Sequence, residues 1–169
     1  MEIKKCTAAD VKQLRDICCR TFVETFAAQN TKEDMERFLA ESFSEERLTE
    51  ELSDPDSFTY IAYEQGKPVG YLKLNIGSAQ TEKDFDGSLE VQRIYLSSDV
   101  KGRGFGTELI RFSEEKAREL SLGYIWLGVW EHNHPALKFY AKLGFEQFSQ
   151  HTFVLGADKQ TDLLMRKYL

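Results

Sequence analysis

Seven consecutive residues, Lys101-Gly102-Arg103-Gly104-Phe105-Gly106-Thr107, set three glycines at alternate positions between a β-rich run and a helical one. Glycine lets a backbone come close to a ligand, and the free amides of a helix's first turn face outward with the positive end of its dipole. Such a turn seats an anion, most naturally a pyrophosphate, although taken alone it serves equally as a structural turn. It is not a Walker loop, because no Gly-Lys-Ser/Thr follows, and Thr107 stands where the dinucleotide fingerprint needs a third glycine. Other reactive types are less informative. His132 and His134 form a lone His-x-His with no Cys or paired carboxylate motif, so no metal is expected. Cys18 and Cys19 share a helix without a nearby base and read as packing residues, and Trp126 and Trp130 read as core or wall.

The elements that must hold this turn follow from periodicity. Residues 2–6 suit an edge strand, and Thr7 with Asp10 has the form of a capping box before Val11, Leu14, Cys18, Phe22 and Phe26 at helical steps. Thr31 and Asp34 repeat that signal before Met35, Phe38 and Leu39, and a short helix with Leu48 and Leu52 stops before Asp54-Pro55. Runs 58–63 and 69–76 form a hairpin around Gly66 and Pro68. Residues 77–88 are polar and glycine-flanked and read as an exposed loop, after which 89–96 alternates as a strand. A helix over about 104–120, a buried-type strand at Tyr124–Trp130, and a helix opened by Asn133-His134-Pro135 and closed by Gly144 come next. In that last helix Asn133 or His134 is the cap and Pro135 lies in the first turn. Runs 145–155 and 161–168 make a final hairpin. No repeat or linker interrupts the pattern, so residues 1–169 are expected to form one α/β domain.

Composition narrows the function. At 169 residues, with 41% hydrophobic and 30% charged residues, the chain is of ordinary single-domain size and make-up. It has no membrane-length apolar run and no signal-peptide pattern. Three cysteines, two of them vicinal, make no disulfide framework, so a reducing cytoplasm is expected. The net charge of −6 argues against a nucleic-acid partner. That charge is regional: ten acids against three bases between Thr31 and Asp56 give −7, and the rest of the chain carries +1. The acidic stretch is either a solvated helical face or a field that draws in a cationic substrate.

The run Ile94-Tyr95-Leu96-Ser97-Ser98-Asp99-Val100-Lys101-Gly102-Arg103-Gly104-Phe105-Gly106, followed by Asn133-His134-Pro135-Ala136-Leu137-Lys138-Phe139-Tyr140-Ala141-Lys142-Leu143-Gly144-Phe145, resembles the GNAT superfamily of N-acetyltransferases. The order of elements agrees over nearly the whole chain. Lys101 stands where members usually carry Gln or Arg, and Ser98 where Pro is frequent, but neither change removes a backbone amide. Ile125 to Glu131 and Gln160-Thr161-Asp162-Leu163 are similar, more narrowly, to PaiA-type spermidine/spermine N-acetyltransferases.

The resemblance implies an α+β fold: a mixed, mainly antiparallel sheet flanked by helices, with a splayed parallel strand pair at the acetyl-CoA site. It implies acetyl-CoA as cosubstrate, with no metal. The turn from Lys101 through Gly102, Arg103, Gly104, Phe105 and Gly106 to Thr107 would hold the CoA pyrophosphate on its amides. Ile94-Tyr95-Leu96 would pair with the acetyl carbonyl and pantetheine as an added strand. Asn133 would bind pantetheine and Lys142 a phosphate. Tyr140 matches the residue that protonates the departing thiolate, or is a core aromatic with its hydroxyl at the edge. Glu90, fourteen positions before Gly104, falls where a general base is carried, or is the outward residue of an alternating strand. Direct attack by the amine in a ternary complex is implied, with spermidine or spermine as the first acceptor class. A basic protein tail is the runner-up acceptor, a catalytically silent CoA sensor is the rival reading, and a homodimer is an assembly the family allows.

Overall fold

The computed structural model describes residues 1–155 and 158–169, without the side chains of 29 and 153–160. The chain runs β1 (Glu2–Lys5), α1 (Val11–Phe26), α2 (Lys32–Ser42), α3 (Glu45–Ser53), β2 (Ser57–Glu64), β3 (Lys67–Asn75), β4 (Ser88–Leu96), α4 (Phe105–Glu119), β5 (Tyr124–Trp130), α5 (His134–Lys142), β6 (Glu146–Leu155) and β7 (Asp158–Tyr168). Local chemistry sets the starts. Thr7 and Asp10 close the capping box ahead of α1, the Thr31 hydroxyl accepts from Asp34 N at the head of α2, and Ser44 does the same for Arg47 N at α3. The described strands form one sheet in the order β1-β2-β3-β4-β5-β7-β6, antiparallel at every step except β4 to β5. No helix among the described residues is long and apolar enough to cross a membrane.

Strand alternation gives the sheet two different faces. Leu72 and Leu74 of β3, Leu89 and Val91 of β4, and Ile125 and Leu127 of β5 pack with Leu109, Ile110 and Ala117 of α4. On the other face, Ile61 and Tyr71 meet Leu14, Ile17, Cys18 and Phe22 of α1, with Met35, Phe43 and Leu48 behind them. This second face also carries polar residues. Lys73 and Arg93 both reach the Glu51 carboxylate of α3, at 2.9 and 2.7 Å, and Arg47 approaches it at 3.5 Å.

The 77–88 segment departs from the expected exposed loop. Gln80 is buried and accepts from the Trp126 indole N–H at 2.7 Å and from the Ser88 hydroxyl at 2.9 Å. A buried indole N–H needs an acceptor, and the sheet supplies none at that point, so the polar segment folds back over it. The final hairpin also starts earlier than expected, because β7 pairs with β6 from Asp158 onward.

The Glu51 cluster has a measurable consequence. Burial acts to raise the Glu51 pKa, but Arg93 and Lys73 outweigh it and hold the carboxyl below the usual range. Its stabilising share is therefore complete above the unfolded value of about 4.3 and is lost as the pH falls through the lowered folded value. Glu51→Gln strands two buried cations and should cost ~3–5 kcal/mol in urea unfolding at pH 7, with the gap from wild type narrowing on acidification. Equal unfolding midpoints at pH 7 would show that the cluster carries no net stability.

Candidate active site

Parallel pairing of β4 with β5 lasts only from Ser88–Tyr124 to Glu90–Trp126. β3 stays paired with β4 as far as Leu96, across a bulge that leaves Gln92 as the extra residue. Beyond Glu90, β4 therefore has one satisfied edge and one open edge. Ser97 N donates to Val69 O on the β3 side at 2.8 Å, so by alternation the amides of Leu96 and Ile94 point to the opposite edge, into the gap. The splayed parallel pair expected from the sequence is present.

At the upper end of this gap the glycine turn leads into α4. Gly104 is the N-cap at φ +92°, a conformation that strains any residue with a Cβ. A Cβ on Gly106 would come within 3.1 Å of the Phe139 ring, so this glycine also lets α4 and α5 approach each other. Lys101, Gly102, Arg103 and Gly104 are exposed, Gly106 and Thr107 are half-buried, and Phe105 is buried. The Arg103 and Lys101 amides are spent on Val100 O and Ser98 O. That narrows the expected anion seat to the amides of Gly102, Gly104, Phe105, Gly106 and Thr107. The Arg103 guanidinium is turned to Glu64 and to the face of Phe105.

The remaining predicted site residues lie on α5 with its cap and on β4. Asn133 caps α5, its Oδ1 accepting from Ala136 N at 3.2 Å, which decides between the two expected caps. Lys142 is exposed in the last turn of that helix. Tyr140 is buried against Phe139 and Phe145; burial, with a smaller push from Tyr95, raises its phenol far above the ordinary range and keeps it protonated. Burial likewise pushes Tyr95 up to about 12, with Arg93 opposing and Asp162 adding to the rise. Glu90 is 3% exposed, and its oxygens accept from Asn75 Nδ2 at 3.0 Å, Thr81 N at 3.0 Å and Thr81 Oγ1 at 2.5 Å. It is thus an inward residue, not the outward member of an alternating strand. Burial pushes the thiols of Cys6 and Cys18 up to about 12, which leaves them poor nucleophiles.

Below Glu90 lies a pocket of about 350 Å³. Arg47, Glu50, Glu51 and Asp54 line it from the α3 side, Lys73 and Asn75 from β3, Thr81 from the folded-back segment and Gln92 from the bulge. Asn75, Thr81 and Gln92 escaped sequence reading. Their only local sign is that Asn75 ends an apolar strand.

A family model for the acetyltransferase (GNAT) family matches residues 13–145. The chain belongs to the GNAT acetyltransferase family. It is 43% identical over 169 residues to an uncharacterized N-acetyltransferase of Lactobacillus delbrueckii subsp. lactis, covering 100% of this chain and 98% of that one. It is 23% identical over 150 residues to a spermidine N(1)-acetyltransferase of Thermoplasma acidophilum, covering 86% and 88% of the two chains. Among solved structures, the PaiA N-acetyltransferase of Thermoplasma acidophilum in complex with coenzyme A superposes with a TM-score of 0.82 at 23% identity, over 99% of this chain and 98% of that one. This likeness shows the fold.

As a GNAT acetyltransferase the protein takes acetyl-CoA as its acetyl donor. Nothing lies within 4 Å of a Cβ built on Gly104, so replacement there acts through backbone strain alone. Gly104→Ala should weaken acetyl-CoA binding by roughly tenfold, equivalent to the ~1–2 kcal/mol cost of a left-handed non-glycine residue, with little change in the protein's fold. Calorimetric titration measures this, and an unchanged affinity would take the turn out of donor binding.

Proposed function

We propose that this acetyltransferase transfers the acetyl group of acetyl-CoA to a primary amine of a small polycation, spermidine or spermine first, by direct attack in a ternary complex. The observation that carries the reading is the open β4 edge lying next to a pocket with acidic residues on its α3 wall. Glu51 is spent on cations of its own chain and Glu50 lies 3.9 Å from Arg47, which leaves Asp54 as the wall carboxylate for a distal ammonium. The spermidine acetyltransferase relative points the same way. Residues 1–169 act in this reading as one catalytic domain, and the free thiols suit a reducing cytoplasm.

The chemistry follows from elementary proton accounting. A primary amine resembles lysine, with a pKa of about 10.4, so only about one part in a thousand is nucleophilic at neutral pH. In this reading the amides of Gly102 and Gly104 to Thr107 hold the pyrophosphate, flanked by Lys101 and Arg103. Asn133 and the backbone of Ile94-Tyr95-Leu96 align pantetheine, and Lys142 meets a phosphate. The Ile94 amide stabilises the developing oxyanion. Tyr140, kept protonated by burial, donates to the departing sulfur. Glu90 draws protons from the amine by way of water, because its oxygens are already turned to Asn75 and Thr81.

Two measurements test this. Tyr140→Phe should leave acetyl-CoA affinity intact and lower turnover by ~10²-fold or more, the usual range for lost acid catalysis; near-full turnover places the donor elsewhere. At low salt, kcat/KM for spermidine should exceed that of a primary amine with a neutral body. That advantage should shrink as salt shortens the screening length toward and below about 8 Å. Equal values at low salt would remove the polyamine assignment while leaving acetyl transfer in place.

A further inference from the structure

Across the gap from β4, a second set of titratable side chains meets the same face of the sheet. Asp162 of β7 extends over Gly128 of β5: a Cβ built on Gly128 would lie 3.5 Å from the Asp162 carboxylate. Gly128 lies two residues past the last β4–β5 pair, on the stretch of β5 that faces the open edge of β4, and it is the exposed residue in an otherwise covered strand. His151 of β6 stands behind Asp162 with Nε2 at 3.7 Å, and its Nδ1 lies 2.5 Å from Glu82 of the folded-back segment. Glu82 and Asp162 hold the two ring nitrogens from opposite sides and fix the orientation of the imidazole. An acid, an oriented imidazole and an orienting carboxylate thus run in line toward the gap, as in an activated base.

We infer that Asp162, backed by His151 and Glu82, is the group that takes the proton directly from the acceptor amine. This rests on the amine-acetylation reading above and deepens it, since Glu90 has both oxygens occupied while Asp162 lies over Gly128, the exposed residue of β5. The substrate ammonium loses one proton to Asp162, which releases it to solvent after the transfer. The freed nitrogen pair forms the C–N bond, the C–S bond breaks, and Tyr140 protonates the thiolate. The second N–H proton, released from the tetrahedral adduct, restores Tyr140. One proton is released per turnover.

Among the described residues, the titratable or charged groups facing Asp162 are His151 from β6 and Tyr95 from β4, with Glu82 behind His151; β5 presents Gly128. Burial raises the Asp162 carboxyl above its ordinary value, with His151 opposing, and that shift moves a carboxylate toward the pH at which it can act as a base.

The test compares Asp162→Asn, Glu90→Gln and Glu82→Gln with wild type, using spermidine and acetyl-CoA between pH 6 and 9.5. Wild type should level off above neutral pH. Asp162→Asn should keep acetyl-CoA affinity and lose ~10²-fold in kcat/KM at pH 7. Its rate should then climb about tenfold per pH unit toward the amine pKa, closing the deficit in a way that no packing defect reproduces. Glu90→Gln should lose less than Asp162→Asn and keep a levelled profile, because Glu90 acts on the amine only through water. Glu82→Gln sits in a surface segment with little risk to folding and should move the onset of the plateau. A wild-type plateau in Asp162→Asn would overturn the inference, whatever Glu82→Gln does. Wild type that binds acetyl-CoA yet acetylates no amine would instead overturn the underlying reading.

Discussion

A backbone amide or carbonyl withdrawn from water and left without a partner costs about as much as a lost hydrogen bond. In this protein the constraint is concentrated on one strand edge. β4 is held by β3 from Glu90 to Leu96, but β5 leaves it after Glu90, and the Gln92 bulge bends β4 at that point. The amides of Ile94 and Leu96 are then presented as a short unpaired edge, which an extended chain carrying amide groups can complete as a strand. The rest of the molecule can be read as support for that opening. α4 crosses from β4 to β5 on one face and fixes their separation at the top, while the turn that starts α4 places its free amides where an anion at the end of such a chain would lie.

Holding a sheet open in this way puts polar groups where an ordinary core would be apolar. On the α1–α3 face, Lys73, Arg93 and Glu51 neutralise one another in part, and Asn75 spans Glu90 and Gln92 from β3. Burying these charges does not favour folding on its own account. Their effect is to fix the bulge residue and the Glu90 carboxylate relative to the gap, with the aromatic stack of Tyr71 on Tyr95 filling the space between them and α1.

The sequence was most legible where function and local backbone preference coincide. The glycine turn, the Asn133 cap with Pro135 behind it, and the alternation of β4 each leave a signal within a few residues, so the strand–turn–helix and most element bounds could be read directly. The α3 face and the folded-back 77–88 segment were less legible, because their contacts are long-range: Gln80 meets Trp126 46 positions away, Arg93 meets Glu51 across 42, and His151 meets Glu82 across 69. A polar segment such as 77–88 looks the same in sequence whether it faces solvent or folds back to satisfy a buried indole. The −7 charge of the early helices likewise did not reveal that one of its members, Glu51, is buried against cations of the sheet.

Seating of the donor on the freed edge of β4 is tested directly by amide hydrogen exchange with and without acetyl-CoA. If that edge and the α4 turn hold the donor, exchange slows at Ile94 and Leu96 and across residues 102–107, while β1 and β2 on the far side of the sheet are unaffected. Unchanged exchange at those amides in protein saturated with acetyl-CoA would contradict it.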